Sequence, residues 1–150
     1  MQTHDEICDL LNTDPFVAQL LAAPIPARLA YVTPDGEPRV APVSYLWNGK
    51  AFVFASPPHF SRIAALRANP NVAFTVDTTD FPPVVMMVRG STSIEIVQGV
   101  PEEYVEASRR IVGEDRMENW ERIVREEIRE MALVTITPTW VKINDFVTRF

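Results

Sequence analysis

Residues 51–77 contain the pattern that most restricts how this chain can fold. An apolar and aromatic run from Ala51 to Ser56 has the composition of a buried strand, and the two prolines that follow it stop the strand. Ser61 is a suitable N-cap for a helix of about two turns, and Asn69-Pro70 ends that helix because a residue before proline avoids the α region. A second β-rich run follows at 72–77. The stretch therefore predicts a strand, a short helix and a second strand in immediate succession.

The start of this short helix is suited to an anion. The first N–H groups of a helix have no intrahelical acceptors and carry a partial positive charge. Ser61 adds a hydroxyl group there, and Arg62 adds a guanidinium group whose fork of donors matches phosphate. The same residues also fit an ordinary capped surface helix with a solvated arginine, because many helices begin in this way. The local pattern alone leaves both interpretations open.

Length, charge and cysteine content limit the classes of protein to consider. With 150 residues the chain is long enough for one domain, 1–150, with a single core. A net charge of −6 argues against a nucleic-acid binder, which would need a basic face. The single cysteine, Cys8, excludes an internal disulfide and a cysteine-rich zinc site, and we expect no metal site. Because no long apolar run occurs and the N-terminus is acidic, we expect no membrane span, no signal peptide and a cytoplasmic location.

Two turn signals organise the strands of the first half of the chain. Pro34-Asp35-Gly36-Glu37 has the residues of a tight turn and separates strand patterns at 27–33 and 39–47. Asn48-Gly49 is a strong hairpin signal, and it joins the second of these strands to 51–56. The three strands are therefore predicted to form an antiparallel meander.

Helical patterns flank the strand region. Residues 3–22 predict two short helices. A third helix opens at Pro101-Glu102-Glu103 and ends at Gly113, and a fourth, 117–130, is dense in Glu and Arg at helical spacing. The predicted buried side of this last helix consists of Trp120, Ile123, Val124 and Ile128. We interpret its charged side as solvated, and Pro101 to Glu130 as a helical insert.

The remaining strand patterns complete a small barrel. Residues 84–97 predict one long strand with a bend at Gly90, and two short strands follow at 132–137 and 140–143. Six or seven antiparallel strands, with a short helix crossing between the third and the fourth, suggest a closed or partly open barrel that removes exposed edges. The predicted fold class is mainly β (α+β), with flanking helices.

Several of these motifs occur together in a known family. They are the strand-turn-strand from Ala27 to Pro38, Ala41 to Trp47 with Asn48-Gly49, Phe52 to Ser56, Arg62 with Leu66 and Arg67, Asn69 to Ala73, and Val88 to Ser91. In their order and spacing the chain resembles the pyridoxamine 5′-phosphate oxidase-like superfamily, the split barrels that bind flavin or deazaflavin. The resemblance covers about residues 25–100. It implies an antiparallel six- to seven-stranded split β-barrel.

The resemblance also implies where a cofactor phosphate would bind. In the family a basic residue eight positions before the Asn-Pro proline holds this phosphate, and here that residue is Arg62, beside Ser61. The hydroxyl residue that ends the preceding strand matches Ser56. Together with Phe54 and Ala55, it would line the phosphate and the ribityl chain.

The flavin ring and a second subunit complete the implied site. The strand from Val40 to Val43, through the backbone of Ala41, Pro42 and Val43, would run under the isoalloxazine ring. The family binds its cofactor at a two-fold dimer interface, so the resemblance implies a homodimer. Such isologous dimers are also the common case among small soluble proteins.

The sequence departs from the family pattern at three places. The family often has two adjacent basic residues near the helix start, whereas Phe60 and Ser61 precede Arg62 here. The chain ends at Arg149-Phe150 without the arginine-bearing tail with which the oxidase proper reads pyridoxal phosphate, so we do not expect vitamin B6 oxidation. Val85 stands where the oxidase places a glutamine against the flavin ring.

The leading functional hypothesis is an FMN-binding oxidoreductase with a small-molecule substrate, in which the flavin carries the hydride chemistry and no catalytic side chain is required. One alternative is a reductase that uses the deazaflavin coenzyme F-420, whose polyanionic tail would favour a basic groove; Arg28, Arg39 and Arg67 could gather to form one. Another is a non-catalytic flavin-binding or haem-handling protein. His59 could approach the phosphate or remain simply exposed, and the insert, 101–130, is where we expect substrate selection.

Overall fold

The computed structural model describes residues 1–150, and its central element is a seven-stranded antiparallel sheet. The strands are β1 (Ala27–Val32), β2 (Pro38–Val43), β3 (Leu46–Trp47), β4 (Phe52–Ser56), β5 (Asn71–Asp77), β6 (Val85–Gln98) and β7 (Glu130–Asn144). The helices are α1 (His4–Thr13), α2 (Pro15–Ala22), α3 (Ser61–Ala68), α4 (Glu102–Val112) and α5 (Glu114–Glu127). The order across the sheet is β2-β1-β5-β6-β7-β4-β3. The predicted α+β, mainly β class is confirmed, and none of the helices is long and apolar enough to cross a membrane.

The two edge strands of the sheet are neighbours in the sequence, and this makes the sheet curl. β2 ends at Val43 and β3 begins at Leu46, although the two strands lie at opposite ends of the strand order. The two linking residues can span only about 10 Å, so the edges of the sheet must approach each other, as in a barrel with one split seam.

Burial of Tyr45 explains why the predicted strand at 39–47 is interrupted. Tyr45 is 1% exposed, and its ring centroid lies 5.9 Å from that of Phe52 and 6.3 Å from that of Phe74. The chain leaves β2 to place this ring in the core and resumes as β3 at the other edge. The prediction of one continuous strand, and of a three-stranded meander, is therefore wrong.

β6 and β7 form the longest antiparallel pair, and it contains a bulge. Arg89 and Gly90 are adjacent on β6, but their partners on β7, Trp140 and Pro138, are separated by Thr139. The predicted irregularity at Gly90 within one long strand is confirmed. The prediction of two separate short strands near the end of the chain is wrong. They form one strand, β7, because its pairing with β6 continues on both sides of the bulge.

A single apolar core of 25 buried residues fills the barrel and includes residues of α1, α2 and α3. Phe52 and Phe54 are among its largest fully buried side chains. Ile63, Ala65 and Leu66 anchor α3 in this core. The first turn of α3 therefore has a fixed position at the surface of the barrel.

α4 and α5 form a helical hairpin that packs on the barrel through a second, smaller cluster. Its buried members are Val100, Val105, Met117 and Met131. Gly113 joins the two helices with a φ of +87°, a conformation that favours glycine. The helix predicted at 117–130 lies three residues earlier in the chain, because α5 begins at Glu114 and ends at Glu127. Ile123 is 43% exposed rather than buried, because it lies about 120° around the helix axis from the buried Met117.

Candidate functional site

A cleft of about 370 Å³ lies where the first turn of α3 meets β1 and β2. The residues that line it are Tyr31, Arg39, Ala41, His59, Phe60, Ser61 and Arg62. Three of the predicted site residues, Ala41, Ser61 and Arg62, are thus brought together. The cleft combines groups from the two strands of one hairpin with groups from the loop and helix that follow β4.

Arg62 is the most constrained polar residue of the cleft. Its side chain is half-buried, and its Nη1 atom is fully buried without a hydrogen-bond partner. Its Cζ atom lies 5.3 Å from the centroid of the Phe60 ring. Burial lowers the pKa of the guanidinium group, although the nearby Tyr31 opposes this, and an arginine remains charged at neutral pH. A buried cationic donor without an acceptor is costly, so this position fits an anionic ligand.

Arg39 supplies a second cation from β2. Its Nη1 atom donates a hydrogen bond of 3.5 Å to Oγ of Ser61. Arg39 pairs with Tyr31 in the β1–β2 register, which places both side chains on the cleft side of the hairpin. Arg39 therefore supplies a second positive charge beside Arg62, where the residues directly before Arg62 in the sequence supply none. Of the arginines that could gather into a basic groove, only Arg39 lies in this cleft; Arg28 and Arg67 line other surfaces.

Ser61 has a different position from the one predicted. Phe60 is the N-cap of α3 and makes no side-chain capping bond, so Ser61 is the first helical residue. The prediction of Ser61 as the N-cap is wrong, because the helix begins one residue earlier than the capping pattern indicates. The main-chain N–H groups of the first turn consequently remain without a side-chain acceptor and lie beside Arg62.

The predicted residues from β4 lie away from the open cleft. Phe54 is 1% exposed and belongs to the barrel core, whereas Ala55 packs against the cluster beneath the insert. Ser56 is 2% exposed, and its hydroxyl group donates a hydrogen bond of 3.5 Å to the Pro57 carbonyl. The side chains of Phe54 and Ala55 therefore face apolar neighbours, and none of the three predicted β4 residues lines the cleft.

β2 separates the cleft from an apolar surface on the other side of the sheet. Side chains alternate along the strand, so Arg39 and Ala41 face the cleft while Val40 faces outward with 65% exposure. Pro42 is exposed and Val43 is buried. Since β2 is an edge strand, its outward main-chain N–H and C=O groups have no strand partner.

We call the apolar surface next to β2 the outer face. It includes Ala30, Val40, Ala73, Met87, Arg89 and Trp140, which line a shallow groove of about 320 Å³. The guanidinium carbon of Arg89 lies 4.7 Å from the centroid of the Trp140 ring. The outer face is therefore open, largely apolar and continuous with the edge of β2.

Sequence reasoning did not single out Tyr31 as a site residue and did not assign Arg39 to this cleft. The turn at 34–37 indicates that these two residues pair, because it sets the β1–β2 register, but it does not indicate that α3 approaches them. Phe60 was noted only as a missing basic residue, yet it packs on Arg62. His59 lies in the cleft, with its ring 5.2 Å from that of Phe60.

Known proteins resemble this chain in sequence and in fold. No curated protein matches it. Among solved structures, an F-420 reductase is 25% identical with a TM-score of 0.63, covering 83% of this chain and 94% of that one. General Stress Protein 26 from Bacillus anthracis is 18% identical with a TM-score of 0.60, covering 85% of this chain and 90% of that one.

A third solved structure extends the range of relatives. The haem storage protein HutZ from Vibrio cholerae is 16% identical with a TM-score of 0.61, covering 87% of this chain and 93% of that one. At 16% and 18% identity, the likeness of this chain to HutZ and to the stress protein concerns the fold alone. The family model for pyridoxamine 5′-phosphate oxidase matches residues 13–145. The chain therefore belongs to the pyridoxamine 5′-phosphate oxidase family of split barrels.

Proposed function

We propose that the protein is an FMN-binding oxidoreductase whose cofactor phosphate binds in the cleft at the start of α3. The observation that carries this proposal is the buried Nη1 atom of Arg62, which has no partner within the chain. A phosphate oxygen would supply the missing acceptor. Arg39 and the uncapped first turn of α3 add positive charge at the same place.

The chain's own groups would hold and orient the cofactor. The two arginines of the cleft could bind a phosphomonoester, and the free edge of β2 offers a main-chain acceptor, the C=O group of Pro42, to a polar ring beside Ala41 and Val43. Bound FMN would supply the hydride transfer, so the protein needs to contribute position and electrostatics rather than an acid or a base.

The helical insert is our candidate for the element that selects the substrate. α4 lies against β4 and β3, α5 packs on α4, and neither helix contributes a buried residue to the barrel core. Exchange of residues 101–130 for the corresponding segment of a relative should therefore change the substrate preference and leave FMN affinity unchanged. Loss of FMN binding in the exchanged protein would show instead that the insert is structural.

A homodimer is part of this proposal, and the outer face is the surface that a second copy would cover. The face is apolar and exposed, and it adjoins β2, which also forms one wall of the cofactor cleft. A partner packed there would extend the site and shield the flavin ring from water. Covering an apolar surface of this kind stabilises an isologous interface.

A substitution of Val40 tests whether the outer face forms the dimer interface. Val40→Asp places a charge on the outer face at its most exposed apolar residue and should convert a dimer into a monomer at micromolar concentration, as measured by analytical ultracentrifugation. FMN affinity should fall with it, because the site loses its second subunit. Ile123→Asp introduces the same charge at an exposed apolar residue of α5 and should leave the dimer intact. A dimer that persists in Val40→Asp would exclude the outer face as the interface.

Coenzyme F-420 is the second candidate cofactor. Of the three solved structures described above, the F-420 reductase has the highest sequence identity to this chain, 25%. The local geometry favours FMN, since only two arginines line the cleft and the chain has a net charge of −6. A polyanionic tail would find few further cations. Parallel titrations with FMN and with F-420 would distinguish the two candidates.

The direct test of the proposed function is the visible absorption spectrum of the freshly purified protein. We expect the two-band spectrum of an oxidised flavin, bleached when NADH or NADPH is added. Flavin that is bound but resists reduction by either nicotinamide would favour a flavin-binding protein without this activity. A colourless protein that binds F-420 but not added FMN would overturn the proposal.

A further inference from the structure

The groove on the outer face has a floor of small side chains. The strand registers place Val40, Ala30, Ala73 and Arg89 side by side on four neighbouring strands, and Trp140 follows Arg89 on β7. At about 4.8 Å per strand, the main chains at Val40 and Arg89 are roughly 14 Å apart. The two alanines between them leave this space open.

The size and the lining of the groove fit a small, flat and largely apolar molecule. Its volume of about 320 Å³ lies near the lower end of the range of about 300–1,000 Å³ that is usual for ligand pockets. Val40 forms one side of the groove, and Met87 and Trp140 form the other. A ring system that lies on the alanine floor would therefore contact apolar groups beneath it and on both sides.

Arg89 gives the groove a positive charge that nothing in the chain neutralises. Its guanidinium carbon lies 4.7 Å from the centroid of the Trp140 ring, and this cation–π contact holds the group beside the groove. Arg89 makes no ion pair within the chain. No carboxylate lines the groove. The planar fork of Arg89 is therefore free to donate two parallel hydrogen bonds to a carboxylate of a ligand.

Arg28 is a second cation at the groove, but its charge is partly offset. It pairs with Thr75 on β5 and lines the groove next to the alanine floor. It also lines a neighbouring pocket that contains Asp77 and Asp80. Arg28 thus adds to the positive potential, whereas Arg89 is the main candidate to bind an anion.

The groove also has a suitable position relative to the cofactor cleft. Val40 lines the groove, whereas Arg39 and Ala41, which flank it on β2, line the cleft. A flavin ring held at the edge of β2 would lie beside the groove. A second copy that covers the outer face would enclose the groove and bury Arg89, and a buried cation without a partner is costly. An anionic ligand would remove this cost.

We propose that the groove binds the small-molecule substrate and that this substrate is a flat aromatic or conjugated carboxylate. Its rings lie on Ala30 and Ala73, and its carboxylate accepts hydrogen bonds from Arg89. The helical insert, which lies against β3 and β4, would distinguish substituents that extend past the edge of β2. The role as a substrate site rests on the proposed function, whereas the binding of a flat carboxylate does not.

Two probes that share one ring system test the role of the charge. 2-Naphthoate carries a carboxylate, and 2-naphthamide is its uncharged counterpart. Isothermal titration calorimetry of the purified protein with FMN bound should give one 2-naphthoate per chain. We expect 2-naphthoate to bind at least about tenfold more tightly than 2-naphthamide, because only the carboxylate makes charge-assisted hydrogen bonds.

Three variants locate the binding site. Arg89→Gln should lower the affinity for 2-naphthoate by at least about tenfold and leave that for 2-naphthamide unchanged. Arg67→Gln, which alters an exposed arginine that lines a different surface, should bind both probes as the unaltered protein does. Ala73→Leu fills the floor of the groove and should abolish binding of both probes at an unchanged melting temperature.

The flavin spectrum tests whether the groove is the substrate site. Binding of 2-naphthoate should shift the visible bands of bound FMN, because the two ring systems would be neighbours. Equal affinity for the two probes, or unchanged 2-naphthoate affinity in Arg89→Gln, would overturn the proposal. A probe that binds without altering the flavin bands would overturn the substrate role. Failure of the proposed function differs from these results, since the unaltered protein would bind 2-naphthoate through Arg89 but would not bind FMN.

Discussion

Replacement of Arg62 by alanine should weaken FMN binding by about 100-fold, which corresponds to about 3 kcal/mol. The guanidinium group has a buried Nη1 atom with no partner in the chain, so a phosphate oxygen would make a charge-assisted hydrogen bond there with little competition from water. Fluorescence titration of the apoprotein with FMN measures the loss. Arg62→Lys should recover only part of the affinity, because an ammonium group cannot reproduce the planar fork.

Riboflavin provides the control for this prediction, because it shares the ring and the ribityl chain of FMN but lacks the phosphate. It should bind the unaltered protein and Arg62→Ala with the same affinity. Arg67→Ala removes an exposed arginine from the last turn of the same helix, away from the cleft, and should change neither ligand's affinity. If Arg62→Ala weakened both ligands equally, Arg62 would not be the phosphate-binding residue.

The same variant separates a functional role from a structural one. In the apoprotein the buried Nη1 atom is unsatisfied, so its removal relieves a desolvation cost. We therefore expect the apo form of Arg62→Ala to be as stable to urea as the unaltered apoprotein. A residue whose removal costs no stability but lowers cofactor affinity is retained for binding.

How far the sequence predicts the site depends on how local each signal is. The position of Arg62 at the start of a helix bounded by Ser56 and Pro70 follows from a short stretch of residues. The contribution of Arg39 does not, because it depends on pairing with Tyr31 across a hairpin and then on the approach of α3. Local spacing thus predicted the first cation, while the second required the register of the sheet.

The same limit applies to the fold. Periodicity predicts most of the strands, since alternation is a property of each segment. It does not predict the break after Val43, because Tyr45 fits a strand pattern and leaves the strand only to fill the core beside Phe52. Ile123 shows the converse case: this apolar residue, predicted to be buried, is exposed because it lies about 120° around the helix axis from the buried Met117. Tertiary packing overrode local pattern at both positions.

Gly90 is a position where the sequence indicated a bend and the structure gives the reason for it. A Cβ atom added to Gly90 would lie 2.7 Å from the carbonyl oxygen of Thr137 and 2.7 Å from Cγ2 of Ile136. The first of these neighbours is main chain of the paired strand, so it cannot move aside by a change of rotamer. Only glycine allows β6 and β7 to approach so closely beside the bulge.

Gly90→Ala should therefore destabilise the protein by about 2–4 kcal/mol, because a single added methyl group must separate the longest strand pair of the barrel. Urea unfolding followed by circular dichroism should show this as a lower midpoint at an unchanged slope. Ser93→Ala, at an exposed position of the same strand, should change stability by less than about 0.5 kcal/mol. A Gly90→Ala midpoint equal to that of Ser93→Ala would mean that the bulge absorbs the methyl group. The strands would then have room to separate, and the close approach at Gly90 would not be what fixes the register of β6 on β7.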